Sequence, residues 1–135
     1  MDLFNMGIVK FYNLKRKGGE NMKIAYVRVS TQEQNLDRQL ELLKPYEIEK
    51  VFQEKQSGKD MSREKLNELI EFVREGDEVY VESWSRLSRT VSDLLKIFEM
   101  FDHKKVRLYS VKEQYDTSSP TGKLMVNIIA ALNQF

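Results

Sequence analysis

Ser30 closes the run Lys23-Ile24-Ala25-Tyr26-Val27-Arg28-Val29, and Arg63, Arg86 and Arg89 also fall where hydrophobic segments begin or end. An arginine inside so apolar a run is out of place, because burying a guanidinium without a partner costs several kcal/mol. Arg28 is therefore expected to reach past the strand end toward an anion, beside the Ser30 hydroxyl. Guanidiniums bond bidentately and stay charged, so three or more around one hydroxyl suit a phosphate. The chemistry that fits is phosphoryl transfer to Ser30, with the arginines neutralising charge on the non-bridging oxygens. The alternative for the same residues is structural: Ser30 or Thr31 caps the next helix and Arg28 pairs with a carboxylate.

Other chemistries lose support by what is missing. The 135 residues include no cysteine, and His103 is the single histidine. Thiol nucleophiles, disulfides and a histidine-rich metal site are thereby excluded, and serine-hydrolase chemistry loses support. His103 sits in Asp102-His103-Lys104-Lys105, which suits the polar end of a helix. There is no glycine-rich phosphate loop ending in Lys-Ser or Lys-Thr, no G-x-G-x-x-G, and no evident carboxylate cluster for two metals. Formal net charge is +1, but Lys10, Lys15, Arg16 and Lys17 stand against Asp2 and Glu20 in the first 21 residues, which leaves 18 basic against 19 acidic residues from Met22 onward. Any DNA contact in that part must come from a local cluster rather than bulk charge. No apolar run approaches the roughly 18 residues of a membrane span, and the amino terminus lacks the order of a secretory signal, so the expected location is the cytoplasm.

The elements that must position these residues alternate. The first strand, 24–30, is apolar enough to be buried on both faces. A helix capped by Thr31 or Asn35 follows, with Leu36, Leu40 and Leu43 on one side and its end near Pro45. Residues 50–54 form a second strand. Ser62 caps a helix with Leu66, Leu69, Ile70 and Val73 at core spacing, stopped by Gly76-Asp77. Residues 78–84 form a third strand, and Val91, Leu94, Leu95, Phe98 and Phe101 line one side of a third helix. Residues 106–111 are a fourth strand, 112–120 a polar loop, and Thr121 caps a final helix. This order implies an α/β fold: a mainly parallel sheet with helices on both faces. Parallel strands 1 and 3 then end on one edge, which brings Arg28, Ser30, Arg86 and Arg89 together. The final helix, 121–135, carries Leu124, Met125, Ile128, Ile129, Leu132 and Phe135 on a stripe that its own domain only partly uses, an expected subunit interface. Residues 1–21 dissolve into Lys15-Arg16-Lys17-Gly18-Gly19-Glu20-Asn21 and are expected to lie outside the core, with Met22 as the native start; the alternative is an arm packed on the domain.

Five stretches in order resemble the catalytic domain of the serine recombinases, the resolvases and DNA invertases: Tyr26-Val27-Arg28-Val29-Ser30-Thr31 continuing through Gln34, Leu36, Asp37 and Gln39; Glu54-Lys55-x-Ser57-Gly58; Ser62-Arg63-Glu64; Glu75-Gly76-Asp77; and Ser85-Arg86-Leu87-Ser88-Arg89. The resemblance runs from Met22 to Phe135, and it makes residues 22–120 the catalytic domain and 121–135 the start of an oligomerisation helix cut short before a DNA-reading helix-turn-helix module. It implies that Ser30 is the nucleophile, joining the 5′ phosphate of cut DNA and releasing a 3′ hydroxyl. It further implies that Arg28, Arg63, Arg86 and Arg89 bind and activate the scissile phosphate while Tyr26, Gln34, Gln39 and Glu54 support the site. No metal or ATP is implied, because the phosphoserine bond conserves the energy for religation. The implied partners are double-stranded DNA at a crossover site and further copies of the chain, a dimer that becomes a tetramer in the synaptic complex. A catalytically silent resolvase-like oligomerisation or regulatory module is the other reading. The chain departs from the family pattern at Ser85 and Ser88, where Asp and often Gly are usual; Glu82 or Glu54 is the carboxylate available to orient Arg86 instead.

Overall fold

The strand that ends at Ser30 forms because Ile24, Ala25, Tyr26, Val27 and Val29 are β-branched, aromatic or small, and all five are buried, so both faces of the strand meet core. The computed structural model describes residues 21–30, 36–56 and 63–134. In chain order the elements are β1 (Lys23–Ser30), α1 (Leu36–Leu43) running into a 3₁₀ turn (Lys44–Tyr46), β2 (Lys50–Gln56), α2 (Glu64–Phe72), β3 (Glu78–Val81), the one-turn α3 (Trp84–Leu87), α4 (Val91–His103), β4 (Arg107–Ser110), β5 (Tyr115–Asp116) and α5 (Pro120–Asn133). The five-stranded sheet has the order β2-β1-β3-β4-β5. β1 pairs parallel with β2 and with β3, β3 pairs parallel with β4, and β5 returns antiparallel to β4.

Period-two alternation divides the core. Ile24, Tyr26, Val79 and Val81 point into the larger cluster with α2, α4, Trp84 and Leu87, while Ala25, Val27 and Tyr80 join Leu40, Leu43 and Ile48 under α1. Helices thus cover both faces, as the strand-helix alternation implies.

The helix stripes fall as expected in α1 and α2. In α4, however, Val91 is exposed and Ile97 is buried with Leu94, Phe98 and Phe101. α2 ends at Phe72, four residues before Gly76: Val73 turns extended to enter the core, and the Lys104 ammonium bonds the carbonyls of Ile70 and Val73. Gly76, at φ 91°, shapes the turn into β3 rather than the helix end. β3 stops at Val81, where residues through Trp84 were expected to continue it. Trp84 instead opens α3, with its backbone N–H on Glu113 Oε1 at 2.7 Å, its indole N–H on Tyr115 Oη at 3.0 Å, and its ring edge-on to Phe98 at 4.9 Å.

Residues 112–120 carry the short strand β5, and α5 is capped by Ser119 rather than Thr121. Ser119 Oγ accepts the Gly122 N–H at 2.9 Å, and Pro120 sits in the first turn. Asp116 Oδ1 gathers Ser118 N–H, Ser118 Oγ–H and Ser119 N–H, while Oδ2 takes Arg107 Nε at 3.1 Å. A Cβ on Gly122 would lie 1.5 Å from the Asp116 carbonyl oxygen, so this closeness requires glycine. The Ser62 and Asn35 caps, Phe135 and residues 1–20 lie outside the described residues. Among the described residues no helix is long and apolar enough to cross a membrane.

Candidate active site

β1 and β3 run parallel, so the end of β1 and the turn after β3 share one edge of the sheet. Ser30 ends β1 in register with Gln56; the side chain of Ser30, and all of Gln34, lie outside the described residues. Two residue pairs back, Arg28 is in register with Glu54. From the other side comes the turn Glu82–Thr90, built by the α3 helical turn, the Ser83 Oγ to Ser85 Oγ contact at 2.8 Å, and Ser88 Oγ, which donates to the Thr90 carbonyl at 3.0 Å and accepts the Thr90 N–H at 3.2 Å.

Arg28 cross-links the two segments. Its Nη2 donates to the Ser85 carbonyl at 2.6 Å, and its own carbonyl accepts from Arg86 Nη1 at 3.3 Å and from Gln39 Nε2 at 3.0 Å. Gln39 is fully buried on α1. Burial holds the Arg28 guanidinium below the ordinary arginine range; the Tyr26 hydroxyl opposes this, and the Arg63, Arg89 and Arg86 guanidiniums add to it. Arg63, Arg89 and Arg86 thus each stand near enough to Arg28 for their charges to be felt there; strand order anticipates this for Arg86 and Arg89, whereas Arg63 arrives with the start of α2. Gathering these positive charges is unfavourable; Glu82 offsets it at Arg86, and a bound anion would offset it further.

Arg63 gives the most direct sign of such an anion. It precedes α2, and among the described residues its Nε and Nη2 are buried without a hydrogen-bond partner. Buried donors of this kind are rare, and each costs about 1–3 kcal/mol unless a ligand satisfies it. Behind it, burial pushes the Tyr26 hydroxyl up to about 12, with the Arg63 hydrogen bond and charge acting in opposition. Tyr26 Oη donates to Glu54 Oε1 at 3.3 Å, and the Glu54 carboxylate also accepts the N–H groups of Leu66 at 3.1 Å and Lys65 at 3.2 Å. Glu54 thus caps α2 from across the strand, a task that Arg63 at the cap position does not perform. It braces Tyr26 and the segment carrying Arg63.

Of the two carboxylates expected to hold Arg86, Glu82 is the one bonded to it, Oε2 accepting from Nε at 3.2 Å. Arg89 is exposed at the mouth of the turn. One neighbour escaped sequence reasoning: Arg38, whose Nη1 donates to Glu82 Oε1 at 2.7 Å. An arginine on the polar side of an amphipathic helix carries no signal that sets it apart from a solvated charge.

In sequence and fold the chain is similar to known proteins. A family model described as "Resolvase, N terminal domain" matches residues 23–135. The transposon Tn917 resolvase of Enterococcus faecalis is 38% identical over 111 residues, covering 82% of this chain and 60% of that protein. The transposon Tn501 resolvase of Pseudomonas aeruginosa is 40% identical over 116 residues, with 84% and 61% covered. Among solved structures, the N-terminal catalytic domain of TP901-1 integrase superposes with a TM-score of 0.70 at 32% identity, covering 84% of this chain and 95% of that one. The chain spans about three fifths of the length of the two resolvases.

Proposed function

Given that this chain belongs to the resolvase family of site-specific recombinases, we propose that it cuts and rejoins DNA through Ser30. The Ser30 hydroxyl attacks a backbone phosphorus and loses its proton. The bond to the 3′ oxygen breaks, leaving a 5′-phosphoserine and a free 3′ hydroxyl. After strand exchange, a 3′ hydroxyl attacks the phosphoserine and Ser30 leaves. One phosphodiester is exchanged for another, so neither ATP nor a metal ion is called for.

The observation that carries this reading is the pair of buried Arg63 nitrogens, Nε and Nη2, with no hydrogen-bond partner among the described residues, near Arg28, which also feels the charges of Arg86 and Arg89. A pentacoordinate phosphorane spreads negative charge over its non-bridging oxygens, and preorganised guanidiniums stabilise that charge more than they stabilise the ground state. Tyr26, Gln39 and Glu54 support the site by fixing Arg28 and the start of α2; Gln34 belongs with them by resemblance. A catalytically silent module gains nothing from an arginine whose Nε and Nη2 are buried without a hydrogen-bond partner among the described residues.

The remainder of the proposal concerns partners and boundaries. Residues from Met22 form the catalytic domain: Met22 is buried, with its backbone N–H on Asp77 Oδ1 at 2.9 Å. By their composition, residues 1–21 are assigned outside this domain. α5 is the oligomerisation helix, since Leu124, Ile128 and Leu132 are exposed along it and Met125 and Ile129 half-buried. A dimer, and a tetramer in synapsis, would work on crossover-site DNA in the cytoplasm.

The test uses the full-length protein and a nicked crossover-site duplex, followed by denaturing electrophoresis. A covalent protein-DNA band is expected from the unaltered protein and none from Ser30→Ala. A band that persists with alanine at position 30 would remove Ser30 from the mechanism.

A further inference from the structure

Two guanidiniums meet on one carboxylate at the edge of this site. Glu82 is the first residue beyond β3, and its side chain is only 9% exposed. Its oxygens are divided: Oε1 accepts from Arg38 Nη1 at 2.7 Å and Oε2 from Arg86 Nε at 3.2 Å. Arg86 is gripped again through Nη1 by the Arg28 carbonyl. A planar guanidinium tied at two nitrogens has its plane set relative to the end of β1. Ser85, just before Arg86, cannot supply that charge: its side chain is neutral and engaged with Ser83.

We infer that Glu82 is the positioning residue for Arg86, and that Arg38 acts through Glu82 by fixing its carboxylate. The electrostatics separate this role from simple attraction. A negative charge beside a phosphate site weakens phosphate binding, so Glu82 contributes by geometry and not by affinity. A buried carboxylate with a cation on each oxygen is far less costly than one paired on a single side. Arg38, by contrast, is 56% exposed, and its ion pair is with Glu82. Its contribution is to stop the carboxylate from rotating. Because a glutamine has one acceptor oxygen and a donor-only amide nitrogen, it cannot accept a guanidinium at each terminal atom as Glu82 does, and Glu82→Gln breaks the arrangement with almost no change of volume.

The rate part of the test rests on the recombinase reading; the other part does not. In full-length protein, Glu82→Gln is expected to slow single-turnover covalent attachment to nicked crossover-site DNA by about 100-fold at saturating DNA. Inorganic phosphate, titrated against the Arg86 Nε–H resonance, should bind as tightly as before or up to about fivefold tighter, because a repelling charge is gone. Arg38→Met should slow attachment by about three- to tenfold, and the double variant should be no slower than Glu82→Gln alone, as expected when one residue works through the other. A rate unchanged by Glu82→Gln, or a double variant whose losses multiply, overturns the inference. Phosphate affinity and rate falling together would also overturn it, since that is the mark of a damaged fold. If the unaltered protein attaches no DNA, the recombinase reading fails, and hydrogen exchange of Arg86 Nε–H then decides the positioning role. Exchange at least tenfold faster in Glu82→Gln supports it, and unchanged exchange refutes it.

Discussion

Glu54→Ala isolates the one carboxylate on which strand, helix and tyrosine meet. Glu54 is 4% exposed and accepts three hydrogen bonds: from Leu66 N–H, Lys65 N–H and Tyr26 Oη. Truncation strands two buried donors, the Leu66 N–H and the Tyr26 hydroxyl, at about 1–3 kcal/mol each. The partly buried Lys65 N–H can turn to water at little cost. Loss of a negative charge at the start of α2 adds about 0.5 kcal/mol. Against this, alanine no longer requires a carboxylate to be desolvated, which returns part of the sum. The net expectation is a loss of about 3 kcal/mol, or a melting temperature lower by about 10 °C for a domain of this size. Trp84 is the single tryptophan and is buried against Phe98, so its fluorescence reports unfolding in urea. The midpoint should fall while the urea slope stays constant. Exposed Glu41→Ala serves as the control and should stay within about 0.5 kcal/mol of the parent. A Glu54→Ala loss below about 1 kcal/mol would refute the capping argument, because it would mean that water satisfies α2 unaided.

Burial pushes both Tyr26 and Tyr80 up to about 12, so the unfolded chain loses these protons near pH 10 while the folded chain keeps them. Their contribution is fully present below about pH 10 and is lost as pH rises to about 12, with a ceiling of about 2.7 kcal/mol for each tyrosine; Tyr26→Phe should flatten the urea midpoint over that window, and an identical pH profile would contradict the assignment. Ile128 is 42% exposed on α5, so Ile128→Asp should abolish concentration-dependent self-association in sedimentation velocity while shifting the melting temperature by no more than about 3 °C. A strictly monomeric parent at high concentration would remove α5 as the interface.

Much of this protein is written locally. The double-sided burial of β1 follows from five apolar residues without a break, the stripes of α1 and α2 from their spacing, and the parallel order from strands that alternate with helices. The convergence of Arg28, Arg86 and Arg89 follows in turn, since parallel strands must end on one edge. What local pattern could not settle depends on partners distant in the chain. Trp84 has the β propensity that extended the expected third strand, yet Glu113 and Tyr115 capture its N–H groups and draw it into a helical turn. α2 stops early because a lysine 31 residues away from Val73 satisfies its last carbonyls. Glu82, not Glu54, holds Arg86, although both carboxylates were equally available in the sequence, because the end of β3 lies beside Arg86 while Glu54 is committed to α2. Arg38 acquires a role only when α1 folds over the same edge. Residue types and periodicity thus specify which groups arrive at the sheet edge, but which carboxylate meets which guanidinium is a matter of a few ångströms, and only packing sets distances that small.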